Sequence, residues 1–412
     1  MMRLRSPFSA RSFFRDPVGY TEREARGDMM SLAAGPVRFA VVRSAAEAWR
    51  ILVTESPDYE AGRWKQRARR FVGDTLFTLG APEHKRRRTA LQPVLSRTRI
   101  ERLTPQIVTR IERLQQHWQE GSEFAARRAL APLSLAIAGD VLLSEDFDPV
   151  AADLSADLTA IVTAIPRLLP PLPFTRLARA LQRVVDRVDA LVRHRREQPP
   201  GTAEPDVLDA LLALNLPNPV IRGEVMTSLL AAADEPPIAV AAAWYLLSRN
   251  PTADQRFYED LDTVGTSPAA RLDDRPGSFV DAVVSETLRL CPPTRHIDRR
   301  AVRDVMIDSR RVCARANVVV SPLVLHHDPR VFDDPRTFRP ERWLLTRESP
   351  LPRGAYLPFG AGAHRCLGEA LATAIVRLIL VTIGRRWRVR VADGAVAPTP
   401  GAPGLVVRLE AR

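Results

Sequence analysis

A mainly α-helical chain with a small β portion is predicted from three observations. Apolar residues recur at three- and four-residue intervals from Thr89 to about His194. The run "VIRGEVMTSLLAAADEPPIAVAAAWYLLSRNP" extends that pattern far enough to cross a whole domain. β-like alternation is confined to residues near 35–45 and 303–321 and to a hairpin at about 387–410. No Gly/Ser linker or charge run divides the 412 residues, so a single domain over 1–412 is expected, large enough to bury a cofactor.

Taken in order, "GPVRFAVVRSAAEAWRILV" reads as a strand entering a helix, with Ser44 and Glu47 at capping-box spacing. "RIERLTPQIVTRIERLQQHW" is helical. In "AIPRLLPPLPF" the residues Pro166, Pro170, Pro171 and Pro173 exclude a helix interior, so this is an apolar loop between two helices. "HRREQPPGTAEPDVL" is a polar connection before the long helix. "GSFVDAVVSETLRL" is a helix that stops at Pro292-Pro293, and "DVMIDSRRVCARANVVVSP" carries short strands around turn residues.

The formal charge of +12 comes from arginine scattered along the chain, without a basic tail or interleaved aromatics. That argues against nucleic acid as a partner and for a basic docking face that meets an acidic protein. Cys291, Cys313 and Cys366 are odd in number and lack CxxC spacing, so neither a disulfide framework nor a zinc site is expected. The N-terminal stretch has no apolar run of signal or anchor length, which predicts a cytoplasmic protein without a transmembrane anchor. His326 and His327, read as strand neighbours, would point to opposite sides and make poor co-ligands for one metal.

"LPFGAGAHRCLGEALATAIVRLILVTI" places Cys366 after a Gly-rich turn and directly before an apolar helix. Free backbone N–H groups and the positive end of the helix dipole would stabilise a thiolate there, and the small residues would let a flat ligand approach.

Phe359, Gly362, His364, Cys366 and Gly368 match the signature F-x-x-G-x-[RH]-x-C-x-G, and the chain here resembles the cytochrome P-450 superfamily. Three further stretches resemble that family in the expected order. "HKRRRTALQPVL" resembles the helix whose His84 and Arg88 reach a haem propionate; "ETLR", with Glu286 and Arg289, is similar to its E-x-x-R helix; "FRPERW" places Arg342 against that pair as a buried structural triad. The resemblance spans about residues 70 to 412. It implies haem b lying between the long central helix and the cysteine-loop helix, with Cys366 as iron ligand. It also implies Arg299, or Arg300 in its stead, and His364 as further propionate partners.

The long helix departs from the family pattern A-G-x-[DE]-T-T. In the ungapped register Ala232 takes the glycine position, Ala233 follows, Asp234 takes the acid position and Glu235 that of the first threonine, with Pro236 next. A shift by one residue would pair Glu235 with the acid and Pro236 with the threonine. Either way the threonine hydroxyl that helps deliver protons is missing. Two interior prolines imply a kink and carbonyls in need of partners. Carboxylates beside an apolar pocket have raised pKa values, so Asp234 and Glu235 are the candidate proton-handling residues.

The resemblance implies a haem-thiolate oxidoreductase acting on a lipophilic small molecule of specialised metabolism. Oxygen insertion would use electrons from a separate ferredoxin and its reductase. Two alternatives stay open. One is peroxide-driven oxidation, or nitrene and C–N bond formation on a pre-activated substrate; the other is a haem-binding sensor without catalysis. The apolar "IPRLLPPLPF" loop resembles the family's mobile lid at the substrate entrance, and packing on the core is its equal alternative.

Overall fold

The computed structural model describes residues 9–24, 27–164, 175–198, 204–265, 267, 278–344, 350–391 and 404–412. The N-terminal part contains α1 (Ser9–Arg15), α2 (Pro17–Glu24), α3 (Ala45–Trp49), α4 (Arg63–Val72) and α5 (Glu83–Leu91). A helical body follows in α6 (Arg97–Leu114), α7 (Ala126–Ala138), α8 (Ala151–Ala164), α9 (Arg176–Glu197), α10 (Val207–Ala213), α11 (Asn218–Ser248) and α12 (Pro251–Thr263). The last helices are α13 (Phe279–Leu290), α14 (Pro322–Leu325) and α15 (Glu369–Gly384).

Helix α11 is apolar on nearly every side, which is the pattern of a helix buried all round, and α7, α9 and α15 pack against it. At 31 residues it spans roughly 46 Å. It runs unbroken through Pro236 and Pro237. Pro236 supplies no N–H to the carbonyl of Ala232, four residues earlier, and Ser134 of α7 donates to that oxygen instead at 2.6 Å. The carbonyl freed by the first proline is thus met by a side chain of the neighbouring helix.

The predicted β portion forms a sheet of order β1-β2-β8-β5-β3, built from β1 (Met29–Ala34), β2 (Val37–Val42), β3 (Tyr59–Ala61), β5 (Ile297–Ala301) and β8 (Asn317–Val320). Among the described residues only β2 and β8 pair in parallel. β6 (Val305–Ile307) and β7 (Arg310–Val312) form a separate ribbon. At the other end β9 (Trp387–Val391) pairs antiparallel with β10 (Val406–Ala411), the predicted hairpin, and β4 (Glu123–Ala125) adds to its edge. The sheet extends the expectation by β1, β3 and β5. Ser44 caps α3 by accepting from Glu47 N–H, whereas the Glu47 carboxylate accepts from Asp308 N–H.

The main apolar core joins α6 to α15, and a second lies between the large sheet and the α3 region. His326 and His327 follow helix α14 and are not strand residues; each ring bonds a backbone carbonyl through Nδ1. The apolar loop read as a lid, residues 165–174, lies outside the described residues. Among the described residues no helix is long and apolar enough to cross a membrane.

Candidate active site

The cysteine loop is a tightly fastened turn. Cys366 N–H donates to the Phe359 carbonyl at 2.8 Å. Gly360 and Gly362 hold φ values of 72° and 70°, in the left-handed region that favours glycine. At Gly362 a Cβ would stand 2.2 Å from the Leu52 carbonyl, so the loop is pressed onto the turn Arg50–Thr54. Gly368 caps α15, and its N–H points at the Cys366 sulfur.

Burial nevertheless dominates the thiol. It pushes Cys366 up to about 12, reinforced by the charge of Glu235, while the Gly368 N–H and Arg88 pull it down. The expected stabilisation by the helix start is therefore present but outweighed. A thiol in this setting stays protonated at neutral pH until a metal cation binds its sulfur and displaces the proton to solvent.

Beside the loop the chain gathers basic groups. The His84 and His364 rings lie 4.0 Å apart. Burial holds His84 at about 4 and His364 at about 3, and both also feel Arg88, Lys65 and Arg299. Lys65 of α4 is held down to about 7 by burial and by Arg299. Asp298 is the carboxylate within this group, and it accepts from Trp64 N–H at 2.8 Å. Along β5 alternate residues face opposite ways: Arg299 is buried, while Arg300 turns to Glu60 at 3.7 Å. Arg88 acts on both imidazoles, and its guanidinium donates to the Arg365 carbonyl at 2.6 Å. Five cationic or protonatable groups around one buried point form a donor set for a doubly anionic group.

In α11 the two expected carboxylates part company, because adjacent helix residues point about 100° apart. Asp234 is buried and paired with Arg127 of α7, so it does not share the open site with Glu235. In the middle of α11 Ala231 is exposed and Ala232 and Glu235 are half-buried, and Cys366 is exposed. Glu235 acts electrostatically on the Cys366 sulfur and is pushed up to about 7 by burial and by Asp234. Ala233 and Pro236 are buried packing residues.

Behind the loop stands the expected triad, fully buried. Arg289 donates twice to Glu286, at 2.8 Å each, and Arg342 Nε donates to the same carboxylate at 3.0 Å. Trp343 Nε1 and Arg339 N–H complete its shell at 2.9 and 3.0 Å. These contacts hold Glu286 below the usual carboxylate range against the effect of burial. His326 links the triad to the loop: Nδ1–H donates to the Arg289 carbonyl at 3.1 Å, and Nε2 accepts from Leu357 N–H at 2.8 Å.

A cleft of about 840 Å³ includes Cys366 in its lining. Arg88, Arg97, Arg365 and Arg377 line it, with Glu369 as the carboxylate among them.

Residues 19–411 match the family model described as Cytochrome P450. The chain belongs to the cytochrome P450 family. It is 30% identical to cyclooctatin synthase of Streptomyces melanosporofaciens over 91% of this chain and 86% of that protein. To pentalenene oxygenase of Streptomyces avermitilis it is 29% identical over 90% and 86%. The solved structure of retinoic acid bound cyanobacterial CYP120A1 is similar with a TM-score of 0.85 at 21% identity, covering 98% of this chain and 96% of that one.

A P450 binds haem iron through a cysteine thiolate and is a haem-thiolate oxidoreductase. The donor set fits that group: an accessible sulfur in a glycine cradle, with a cluster of bases beside it. Sequence reasoning missed Lys65, Ser134, Thr294 and the bracing role of His326. For Lys65 the one available signal was its helix position in "GRWKQRARRF", which otherwise reads as a solvated basic face.

Proposed function

We propose that this P450 inserts oxygen into a lipophilic small molecule of specialised metabolism, with a terpenoid as the first class to test. Cys366 would ligate the haem iron through its thiolate, and Lys65, His84, Arg88, Arg299 and His364 would hold the propionates. Thiolate-ligated haem supplies oxygen activation. Glu235 holds and releases a proton in the hollow between α11 and the cysteine loop, the task a threonine performs in the usual pattern. The placement of Glu235 carries this reading: it stands half-buried in mid-α11, acts on the Cys366 sulfur, and has a carboxyl pushed up to about 7. The names of relatives support the substrate class, among them cyclooctat-9-en-7-ol 5-monooxygenase of Streptomyces melanosporofaciens, 28% identical over 92% of this chain.

Electrons come from a separate ferredoxin and its reductase, and the arginine-lined cleft behind Cys366 is the docking face. An affinity for ferredoxin that does not weaken with salt would remove this assignment.

The missing threonine hydroxyl motivates a second reading, peroxide-driven oxidation or chemistry on a pre-activated substrate. The deciding experiment exposes purified holoprotein to a terpenoid library under two regimes, ferredoxin, reductase and oxygen in one and peroxide alone in the other. A mass gain of one oxygen confined to the first regime supports the monooxygenase. Products confined to the second sink it.

A further inference from the structure

The proposed proton-handling carboxyl has one hydrogen-bond partner among the described residues, and it comes from another element. Thr294 Oγ1 donates to Glu235 Oε1 at 3.3 Å. Thr294 lies in the segment between α13 and β5, after Pro292-Pro293. The neighbouring carbonyl of Arg295 accepts from Ser321 Oγ at 2.9 Å. Two residues on, the His296 ring packs against Phe13, Phe14 and Trp64. The hydroxyl is therefore presented from a braced segment, across the hollow from a helix that has a proline where its own second hydroxyl would stand.

We infer that Thr294 is a positioning residue for Glu235, and that the two together form an acid–hydroxyl pair assembled across two elements. This rests on the reading of Glu235 as the proton-handling group. Thr294 holds Oε1 and leaves Oε2 without a hydrogen-bond partner among the described residues. The carboxyl is thereby kept in one orientation towards the hollow instead of sampling several rotamers, and preorganisation of that kind is what proton transfer needs. No proton passes through Thr294 in this scheme; its hydroxyl donates to the carboxylate and keeps its own hydrogen.

The charged and titratable groups that act around Glu235 are Asp234 beside it, Arg127 through Asp234, and Cys366 across the hollow. Asp234 raises the Glu235 carboxyl and the Thr294 hydroxyl lowers it. Loss of the hydroxyl must therefore move the titration upward, a change that a purely structural role for Thr294 would not produce.

The test uses holoenzyme with Thr294→Val, Thr294→Ser and Glu235→Gln. Two quantities are read: the protonated carboxyl band in the infrared spectrum, assigned by its loss in Glu235→Gln, as a function of pH; and the share of reducing equivalents recovered in product rather than in hydrogen peroxide. Thr294→Val is expected to raise the midpoint by about one pH unit and to lower the product share several-fold, with Thr294→Ser restoring both. Where Thr294→Val does not fold, Thr294→Ala against Thr294→Ser gives the same comparison. If Glu235→Gln abolishes coupling while the Thr294 variants keep the wild-type midpoint and product share, the inference about Thr294 falls alone. If Glu235→Gln leaves coupling unchanged, the reading of Glu235 falls and takes the pair with it.

Discussion

Ser134 Oγ donates to the Ala232 carbonyl at 2.6 Å, from α7 to the point of α11 where Pro236 withholds its N–H. A serine and a proline on different helices thus form one structural unit. Ser134→Ala should cost about 1–3 kcal/mol, the penalty for an unpaired buried acceptor. In a Pro236→Ala background the backbone N–H returns, and the same serine substitution should cost much less. Denaturant unfolding of the four proteins measures that coupling; additive effects would contradict it.

Glu286 accepts five hydrogen bonds from four residues at the buried end of α13. Glu286→Ala leaves two buried arginines uncompensated, and we expect a loss of about 3–5 kcal/mol together with failure to hold cofactor. His326→Phe should be milder, because it orphans the Leu357 N–H but leaves the ion pairs. Its signature is a thiolate-haem spectrum that converts to the inactive form faster on warming.

The two carboxylates of α11 should separate by experiment. Asp234→Asn breaks the pair with Arg127 and is expected to lower stability while leaving the pH dependence of coupling in place. Glu235→Gln is expected to do the reverse. Equal effects of both on coupling would show that the two act as one group.

Glu235 titrates near 7 in the fold against an ordinary value of 4.5. A raised acid contributes stability that is complete below about 4.5 and is lost as pH rises through about 7. Unfolding free energy should therefore decline over that window, and Glu235→Gln should flatten the decline. Chemical denaturation at half-unit pH steps is the measurement.

Lys65 gives a second window of opposite slope. Its folded value of about 7 lies below the ordinary 10.5, so the folded chain binds fewer protons than the unfolded one between those limits. Stability of the cofactor-free chain should rise with pH from about 7 to about 10.5, and Lys65→Met should remove that rise. The same variant should weaken haem retention, measured by transfer to apomyoglobin.

Much of this site was legible because its chemistry is local in sequence. Five positions within ten residues mark the cysteine loop, and Glu286 and Arg289 share one helical turn. Period and proline placement likewise located the long helix and the C-terminal hairpin. What could not be read depends on approach in space. Asp234 and Glu235 look equivalent in a string, and only the position of Arg127, 107 residues before Asp234, divides them. Thr294 meets Glu235 across 59 residues, and Lys65 joins His84 and His364 from three separate stretches. The double proline promised carbonyls in need of partners by local rules; that a hydroxyl from α7 meets one of them could not be read.

Gathering Lys65, His84, Arg299 and His364 around one point burdens the chain most before its cofactor arrives. Newly synthesised protein would therefore begin with Arg299 and a partly protonated Lys65 desolvated beside two imidazoles held neutral by burial, a cost that two carboxylates would relieve at a stroke. In a cell such a cost would tie survival of the polypeptide to porphyrin and iron supply. When supply fails, the unloaded chain is the form that opens most readily to proteases, so abundance of the enzyme would track nutrition without any dedicated regulator.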